Sequence, residues 1–500
     1  MFLSLPLEIL LLIANQLDSN NDMLNLLLVN HFLHDLLLSQ LYRRDIRATG
    51  GLALLFYSNW GYESAAQNML AAGVNADIRG PRWDTRTALL LAISRHHTAI
   101  VKSLLDHGAD PNFMDNVKHG PLETAILNDC GEDTLQMLLD YGADVNLKGY
   151  SGRTPLFTAI IAGKSTGVAF LLARGSNVHA RESKEGRIPL HFAAEKAGFS
   201  DVVKMLVDAG SDVNCLTESG MSPLHKAAHA RATDTVQALL DCGADVNIGT
   251  PARFNRGQTA IHYFAKGWGP SKDIIRLLID HGADVNSRDS QQRTPLFLNV
   301  EQDHAQCQYT AELLLDHGAD ICARDESGCT VLHGSARQIS VKMVKWLCQR
   351  GADANWSNDN GETPLFTAIE SPQFRKQTPN IIDVLLKLGA DPNHQNSHGQ
   401  NALYPTIRRG YLVPMQVLLE HGANVHNKDR EGMTPIHWCN RALMGDTLAD
   451  TMSRMIGLLI RYGADVNSRN HAGQTPLGMN LLQTGNLRVR ECLINAGGVE

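Results

Sequence analysis

The stretch SPLHKAAHARATDTVQALLDCGADVN, residues 222–247, contains the pattern that decides the fold. It begins with a Thr-Pro-Leu-like start at Ser222 and ends, 21 residues later, with a Gly-Ala-Asp-Val-Asn-like sequence at Gly243. The same pattern occurs twelve times with a period near 33 residues and a few insertions, which indicates a repeat architecture. The starts are Thr87, Gly120, Thr154, Ile188, Ser222, Thr259, Thr294, Thr330, Thr363, Asn401, Thr434 and Thr475.

Each repeat is predicted to form two short helices and a turn. In Thr154-Pro155-Leu156 the threonine hydroxyl is expected to cap the first free N–H groups, and proline is well placed at the first helical position. Gly142 is expected to close a second helix in the left-handed conformation, and Asp144 and Asn146 favour the turn that follows. Such a unit cannot bury its own apolar face, so the repeats must stack.

These features resemble the ankyrin repeat. The resemblance implies an all-α solenoid of about twelve clear units over residues 81–500. The sequence Gly73-Val-Asn-Ala-Asp77 resembles one further, degenerate ending, so residues 49–80 are predicted to be a capping unit. The resemblance also implies that one set of histidines bridges neighbouring loops by hydrogen bonds, with no role in metal binding or catalysis. These are His191, His225, His262, His333 and His437.

Composition narrows the class of partner. The net charge of −7 argues against a basic nucleic-acid footprint, and no apolar run is long enough to span a membrane. The nine cysteines are scattered and include no Cys-x-x-Cys pair, which is typical of reduced thiols inside the cell. We therefore expect an intracellular protein, in the cytoplasm or the nucleus or both, whose partners are proteins rather than nucleic acid or membrane.

Residues 1–48 lie outside the repeats and are rich in large apolar side chains, which predicts three short helices. The spacing Leu5-Pro6-x-Glu8-Ile9-Leu10, followed by a second apolar segment, resembles an F-box over roughly residues 2–46. At Asn30-His31 the sequence departs from the family, which often has a cysteine and a basic residue there. The resemblance implies that this segment binds a Skp-type adaptor of a cullin–RING ubiquitin ligase. The implied adaptor-binding residues are Leu5, Pro6, Ile9, Leu10, Ile13, Leu17, Leu28 and Val29.

Two functions follow from this organisation. In the first, the chain is the substrate receptor of an SCF-type ligase, as in F-box/ankyrin-repeat proteins of fungal type, and the repeats hold an unidentified client protein. In the second, residues 1–48 only cap the array, and the chain is a scaffold or transcription coregulator. A metalloenzyme is a third and more distant alternative, because His225 and His229 are one helical turn apart but lack an accompanying glutamate.

Client binding is expected at the hairpin tips between repeats, where exposed aromatic and arginine side chains are the types enriched in binding hot spots. We find no phosphate-binding loop, dinucleotide fingerprint or nucleophile elbow, so neither catalysis nor a cofactor is predicted. The candidate client-binding residues are Trp83, Tyr150, Arg253, Phe254, Arg256 and Trp356.

Overall fold

The computed structural model describes residues 50–80, 85–251, 257–266, 272–302, 307–373, 379–441, 446–482 and 487–500. The predicted adaptor-binding residues in segment 1–48 lie outside these ranges, as do Trp83, Arg253, Phe254 and Arg256. The described residues form helices and turns, together with two isolated bridging pairs, Arg79 with Thr87 and Arg324 with Thr330. The chain divides into two compact units, Met1–Ala244 and Asp245–Glu500.

The described part of the first unit contains six helix pairs. In chain order they are α1 Ala53–Trp60 with α2 Glu63–Ala71, α3 Ala88–Ser94 with α4 Thr98–Asp106, α5 Pro121–Leu127 with α6 Glu132–Asp140, α7 Pro155–Ala162 with α8 Ser165–Ala173, α9 Pro189–Ala194 with α10 Ser200–Asp208, and α11 Pro223–Ala230 with α12 Thr233–Asp241.

The described part of the second unit contains seven helix pairs. They are α13 Ala260–Ala265 with α14 Lys272–Asp280, α15 Pro295–Val300 with α16 Cys307–Asp316, α17 Val331–Arg337 with α18 Val341–Gln349, α19 Pro364–Glu370 with α20 Pro379–Lys387, α21 Leu403–Arg409 with α22 Leu412–Glu420, α23 Pro435–Arg441 with α24 Asp446–Arg461, and α25 Pro476–Leu482 with α26 Leu487–Asn495.

Only some of the helix starts have the predicted side-chain cap. The hydroxyl of Thr87 accepts a hydrogen bond from the Leu90 amide at 3.4 Å, as a capping threonine should. The same prediction for Thr154 was wrong, because its Oγ1 atom is buried and makes no hydrogen bond. Proline at the first helical position and the stacked neighbouring repeat therefore hold this helix start without a side-chain cap.

The second helices end at glycine as predicted. Gly142 has a φ of 92°, and its amide donates to the carbonyl of Leu139 at 2.9 Å. An L side chain is strained in this left-handed region, so glycine is the residue that closes the helix at low cost. The turn that follows is built as expected, with the amide of Asn146 donating to the Asp144 carboxylate at 2.8 Å.

Within each unit, first helices pack on first helices and second helices on second helices of the next repeat. The leucine or isoleucine of each start motif is buried in this stack, as Leu156, Leu190, Ile261 and Leu332 show. Burying a leucine side chain stabilises a fold by about 1.5–3 kcal/mol relative to leaving it in water. Because the burying surface belongs to the neighbouring repeat, the stability of each repeat depends on its neighbours.

Candidate protein-binding surface

The contacts between neighbouring repeats, here called joints, contain buried histidines. The backbone amide of Thr330 donates to Nδ1 of His333 at 3.0 Å, and Nε2 of His333 donates to the Glu362 carbonyl of the next repeat at 3.0 Å. His191 makes the equivalent bond to the Met221 carbonyl at 3.0 Å. Burial lowers the pKa of both imidazoles from 6.5 to about 4, so they are neutral at physiological pH. The predicted bridging role is confirmed for these residues.

Other residues replace histidine at this motif position. In the repeat that begins at Asn401, the Tyr404 hydroxyl lies 2.7 Å from the carbonyl oxygens of both Asn427 and Met433 and so spans the same joint. Where the residue is phenylalanine, as in Phe157, the joint has no polar bridge from this side chain. The fold therefore tolerates variation in the polar joint as long as the apolar contacts are kept.

A second set of hydrogen bonds between repeats was missed from the sequence, where the recurring Asp and Asn residues were assigned only to local turns. Nδ2 of Asn286 donates to the Gly318 carbonyl at 2.9 Å, while its Oδ1 accepts from the Asp320 amide at 2.7 Å. Asn355 makes the same pair of bonds to Gly389 and Asp391. The regular spacing of these asparagines in the sequence is the signal that could have predicted this ladder.

The hairpin tips are linked to one another by backbone hydrogen bonds. The amide of Glu218 donates to the Glu185 carbonyl at 2.9 Å, and the amide of Ser397 donates to the Asn360 carbonyl at 2.8 Å. Each of these bonds joins a tip to the tip of the preceding repeat. Side chains that project from neighbouring tips of one unit are therefore presented in fixed register, which is what a binding surface requires.

Tyr150 is the most exposed of the predicted client-binding residues that the structure describes, with 67% of its surface accessible. It begins a short 3-10 turn, Tyr150–Gly152, closed by a 2.7 Å hydrogen bond from the Gly149 amide to the Arg153 carbonyl. The Ser151 carbonyl accepts from the Ser183 amide at 2.8 Å. The tyrosine therefore lies in a turn that is held by backbone hydrogen bonds, and its side chain is exposed to solvent.

Trp356 is less available than Tyr150. Its accessible fraction is 39%, and the guanidinium of Arg324 lies 6.0 Å from its ring centroid. Nη2 of Arg324 also donates to the Ser357 carbonyl at 2.7 Å, which fixes the arginine against this tip. Part of the indole surface is thus already covered by the preceding tip. A partner would meet Arg324 and Trp356 together.

Two arginines that directly precede a start motif are neutralised by neighbouring carboxylates. Arg293 donates to the buried Asp289 carboxylate through Nη2 at 2.8 Å, and its Nη1 lies 3.4 Å from Glu301. Arg187 lies within 3.4–3.5 Å of Glu182, Glu185 and Glu195. Both guanidinium groups are therefore part of the scaffold.

The pKa of Asp289 shows that the hydrogen bonds in this cluster outweigh the effect of burial. Burial alone raises the pKa of Asp289, but hydrogen bonds from Arg293 and Gln258 outweigh this effect, and the net result is a lowered pKa. The residue is only 1% exposed. A buried carboxylate that remains ionised depends on its partners, so removing Arg293 is expected to be costly.

Each unit also has a shallow groove. One of about 400 Å³ lies between α6 and α8, where Gly167 and Ala173 leave space beside Phe170. The other, of about 260 Å³, is lined by Glu370, Tyr404, Arg408 and Trp438 among others. The carboxylate of Glu370 is held there by Arg408 and Arg409. Both grooves are large enough for side chains of a partner.

Three observations concern possible metal ligands, cysteines and hydrophobic helices among the described residues. Among them, no group of three or more His, Cys, Asp or Glu side chains is placed to hold a metal ion. All nine cysteines are free. In the part of the chain that the structure describes, no helix has the length and apolar character needed to cross a bilayer.

The fold and its joints define a helical repeat protein that presents tips and grooves for protein binding. The family model for ankyrin repeats (3 copies) matches residues 52–149, 156–250, 224–325, 307–396 and 373–450, and the single ankyrin repeat matches residues 431–471. The chain therefore belongs to the ankyrin-repeat family.

Curated relatives match parts of the array. The chain is 30% identical over 198 residues to the B-cell lymphoma 3 protein homolog of Mus musculus, covering 39% of this chain and 41% of that protein. It is 28% identical over 195 residues to ankyrin repeat and SOCS box protein 3 of Homo sapiens, covering 35% and 33%. It is 43% identical over 65 residues to the Neurogenic locus Notch protein of Drosophila melanogaster, covering 13% and 2%. The chain thus spans less than half the length of each of these relatives.

Proposed function

We propose that this chain is a client-binding receptor of an SCF-type ubiquitin ligase, in which residues 1–48 bind a Skp-type adaptor and the ankyrin repeats bind the client. The observation that favours this function is the Leu5-Pro6-x-Glu8-Ile9-Leu10 pattern immediately before a long protein-binding array. The name of one relative likewise couples ankyrin repeats with a further motif, a SOCS box. Ubiquitin transfer to the client would then be promoted by proximity.

In this proposal the client contacts the tips in each unit, and Tyr150 is the strongest described candidate because it is exposed on an anchored turn. Trp356 contributes together with Arg324. Trp83, Arg253, Phe254 and Arg256 remain candidates from their residue types alone. Aromatic and arginine side chains on a rigid surface lose little conformational entropy on binding, which favours affinity.

The test is a pull-down of purified Skp-type adaptor with the full chain and with a Leu5→Ala/Pro6→Ala variant. Retention by the wild-type chain and loss in the variant would support the receptor function. A Leu36→Ala/Leu37→Ala variant makes the same kind of change in the same segment at positions without an assigned adaptor role, and should retain the adaptor. Circular dichroism of all three proteins checks that the repeats stay folded.

The second candidate is a scaffold or transcription coregulator without a ligase, in which residues 1–48 cap the first repeat. The need of a solenoid for an end cap favours it. If folded wild-type protein does not retain the adaptor, this function replaces the first. The client level in cells then stays unchanged when Leu5 and Pro6 are substituted, because turnover is not coupled to this chain.

A further inference from the structure

Arg153 occupies the same position in its repeat as Arg187 and Arg293, directly before the start motif, but it lacks their partners. Its guanidinium lies 5.0 Å from the Phe192 ring centroid. The Nε atoms of Arg153 and Arg187 are both buried without a hydrogen bond, so the two residues differ in their ion pairs. Within the described residues, no carboxylate forms an ion pair with Arg153, whereas Arg187, which lies over the same ring at 4.3 Å, contacts three.

The sequence of the repeat explains the missing partners. Arg187 and Arg293 are each paired with a glutamate eight residues later, Glu195 and Glu301, but the residue eight positions after Arg153 is Ile161. The carboxylate that pairs with Arg293 from four residues earlier, Asp289, corresponds to Gly149 in the repeat of Arg153.

Gly149 is itself required by its surroundings. A Cβ atom at this position would lie 2.6 Å from the Lys118 carbonyl oxygen and 3.2 Å from the buried Glu123 carboxylate. Glu123 is engaged elsewhere, because it accepts hydrogen bonds from the Thr158 hydroxyl and the Gly120 amide. The tip of this repeat therefore contributes no carboxylate that could form an ion pair with Arg153.

We infer that Tyr150, Arg153 and Ile161, here called the Arg153 patch, form an anchor for an anionic side chain on a client segment. Tyr150 and Ile161 are 67% and 38% exposed and flank the arginine in sequence. A stacked guanidinium is oriented in advance, so a carboxylate or a phosphoryl group can form charge-assisted hydrogen bonds at little entropic cost. The inference rests on the protein-binding part of the proposed function and is independent of the adaptor.

The test uses random dodecapeptides displayed on phage and selected against the full wild-type chain. Enrichment of peptides with an Asp or Glu is expected, and the Arg153→Glu variant should select Lys or Arg in its place, because the sign of the anchor is reversed. Wild-type selection without acidic enrichment, or without any bound peptide, would overturn the inference. The adaptor pull-down is unaffected by either result, so the two proposals can fail separately.

The best acidic peptide is then measured by fluorescence anisotropy. Arg153→Gln should weaken its binding about tenfold, the loss of one charge-assisted contact. Arg350→Gln is the matched control, since Arg350 also stacks on an aromatic ring, at 5.0 Å from the Trp346 ring centroid, and lies outside both grooves. Equal weakening by both variants contradicts a local anchor. Replacing the acidic residue by phosphoserine shows which anion the patch prefers, since the tighter-binding peptide contains it.

Discussion

Arg293 and Arg153 occupy the same position in two repeats, yet only Arg293 is neutralised. Arg293 is surrounded by Asp289 and Glu301, whereas Arg153 has an aromatic ring beneath it and no carboxylate partner within the described residues. Residue type and repeat position are therefore insufficient to assign a role. The partners decide whether an arginine stabilises the scaffold or is available to another molecule.

The buried joints resemble Arg293, because their polar groups are already bonded to other groups of the protein. His333 bonds the next repeat through Nε2 and its own helix start through Nδ1, and Asn286 bonds the next repeat through two atoms. Such groups contribute to stability and are costly to disturb. Substitutions at the joints should therefore change mainly the free energy of unfolding, while substitutions at the Arg153 patch should change mainly binding.

The largest expected effect is that of pH on the histidine joints. His191 and His333 have a folded-state pKa of about 4, below the ordinary value of 6.5, so protons bind the unfolded chain preferentially as the pH falls below 6.5. Stability is full above pH 6.5, and at pH 5 each residue should have lost about 2 kcal/mol. Urea unfolding followed by circular dichroism from pH 7.5 to pH 5 measures this loss.

A His191→Phe/His333→Phe variant is the control for the pH effect, since phenylalanine occupies this position in other repeats. It should be less stable than the wild type at pH 7.5 but depend less steeply on pH. An unchanged pH slope in this variant would show that other groups cause the loss.

Removing a neutralised arginine should have the next largest effect. Arg293→Gln leaves the Asp289 carboxylate buried without its ion pair and should cost about 3 kcal/mol, with a rise in the pKa of Asp289. Arg153→Gln should change the free energy of unfolding by less than about 0.5 kcal/mol. Urea unfolding at pH 7.5 compares the two variants. Equal losses would contradict the distinction between the two arginines.

Substitutions in the asparagine ladder should change the free energy of unfolding by a smaller amount, one lowering it and one raising it. Asn286→Ala removes two bonds to the next repeat and should destabilise the protein by about 1 kcal/mol. Cys322 occupies the ladder position of the following repeat, and its amide donates to Asp320 as the amide of Asn286 does to Asp284. Cys322→Asn should restore the ladder and stabilise the protein by a similar amount. Thermal unfolding of both variants checks the sign.

Supplying Arg153 with a partner should increase stability only slightly. Ile161→Glu places a carboxylate where Glu301 stands relative to Arg293, and should stabilise the chain by no more than about 1 kcal/mol because the pair is partly exposed. It should also weaken binding of an acidic peptide, since the arginine is then neutralised. Ile161→Gln has nearly the same shape without the charge. If both variants weaken binding equally, neutralisation is not the cause.

Much of the fold could be predicted from the sequence because the repeat constrains it. The Thr-Pro-Leu-like starts and the closing glycines such as Gly142 have local causes that recur from repeat to repeat, and the bridging histidines such as His333 recur in five repeats. Thr154 shows the limit of this reasoning. A threonine before a helix predicts a cap, but its hydroxyl is buried without a partner.

The sequence by itself determined the helical repeats, the helix ends and the residue types available for binding, since these depend on interactions within a few positions along the chain. The tertiary structure decided which of those residues are free. Arg153, Arg187 and Arg293 share their place before the start motif, and only the folded repeat shows that the side chain eight residues later decides whether each is paired. Tyr150 and Trp356 were equal candidates. Whether a carboxylate or a neighbouring tip covers such a side chain depends on residues brought together by stacking, and local sequence patterns do not specify those contacts.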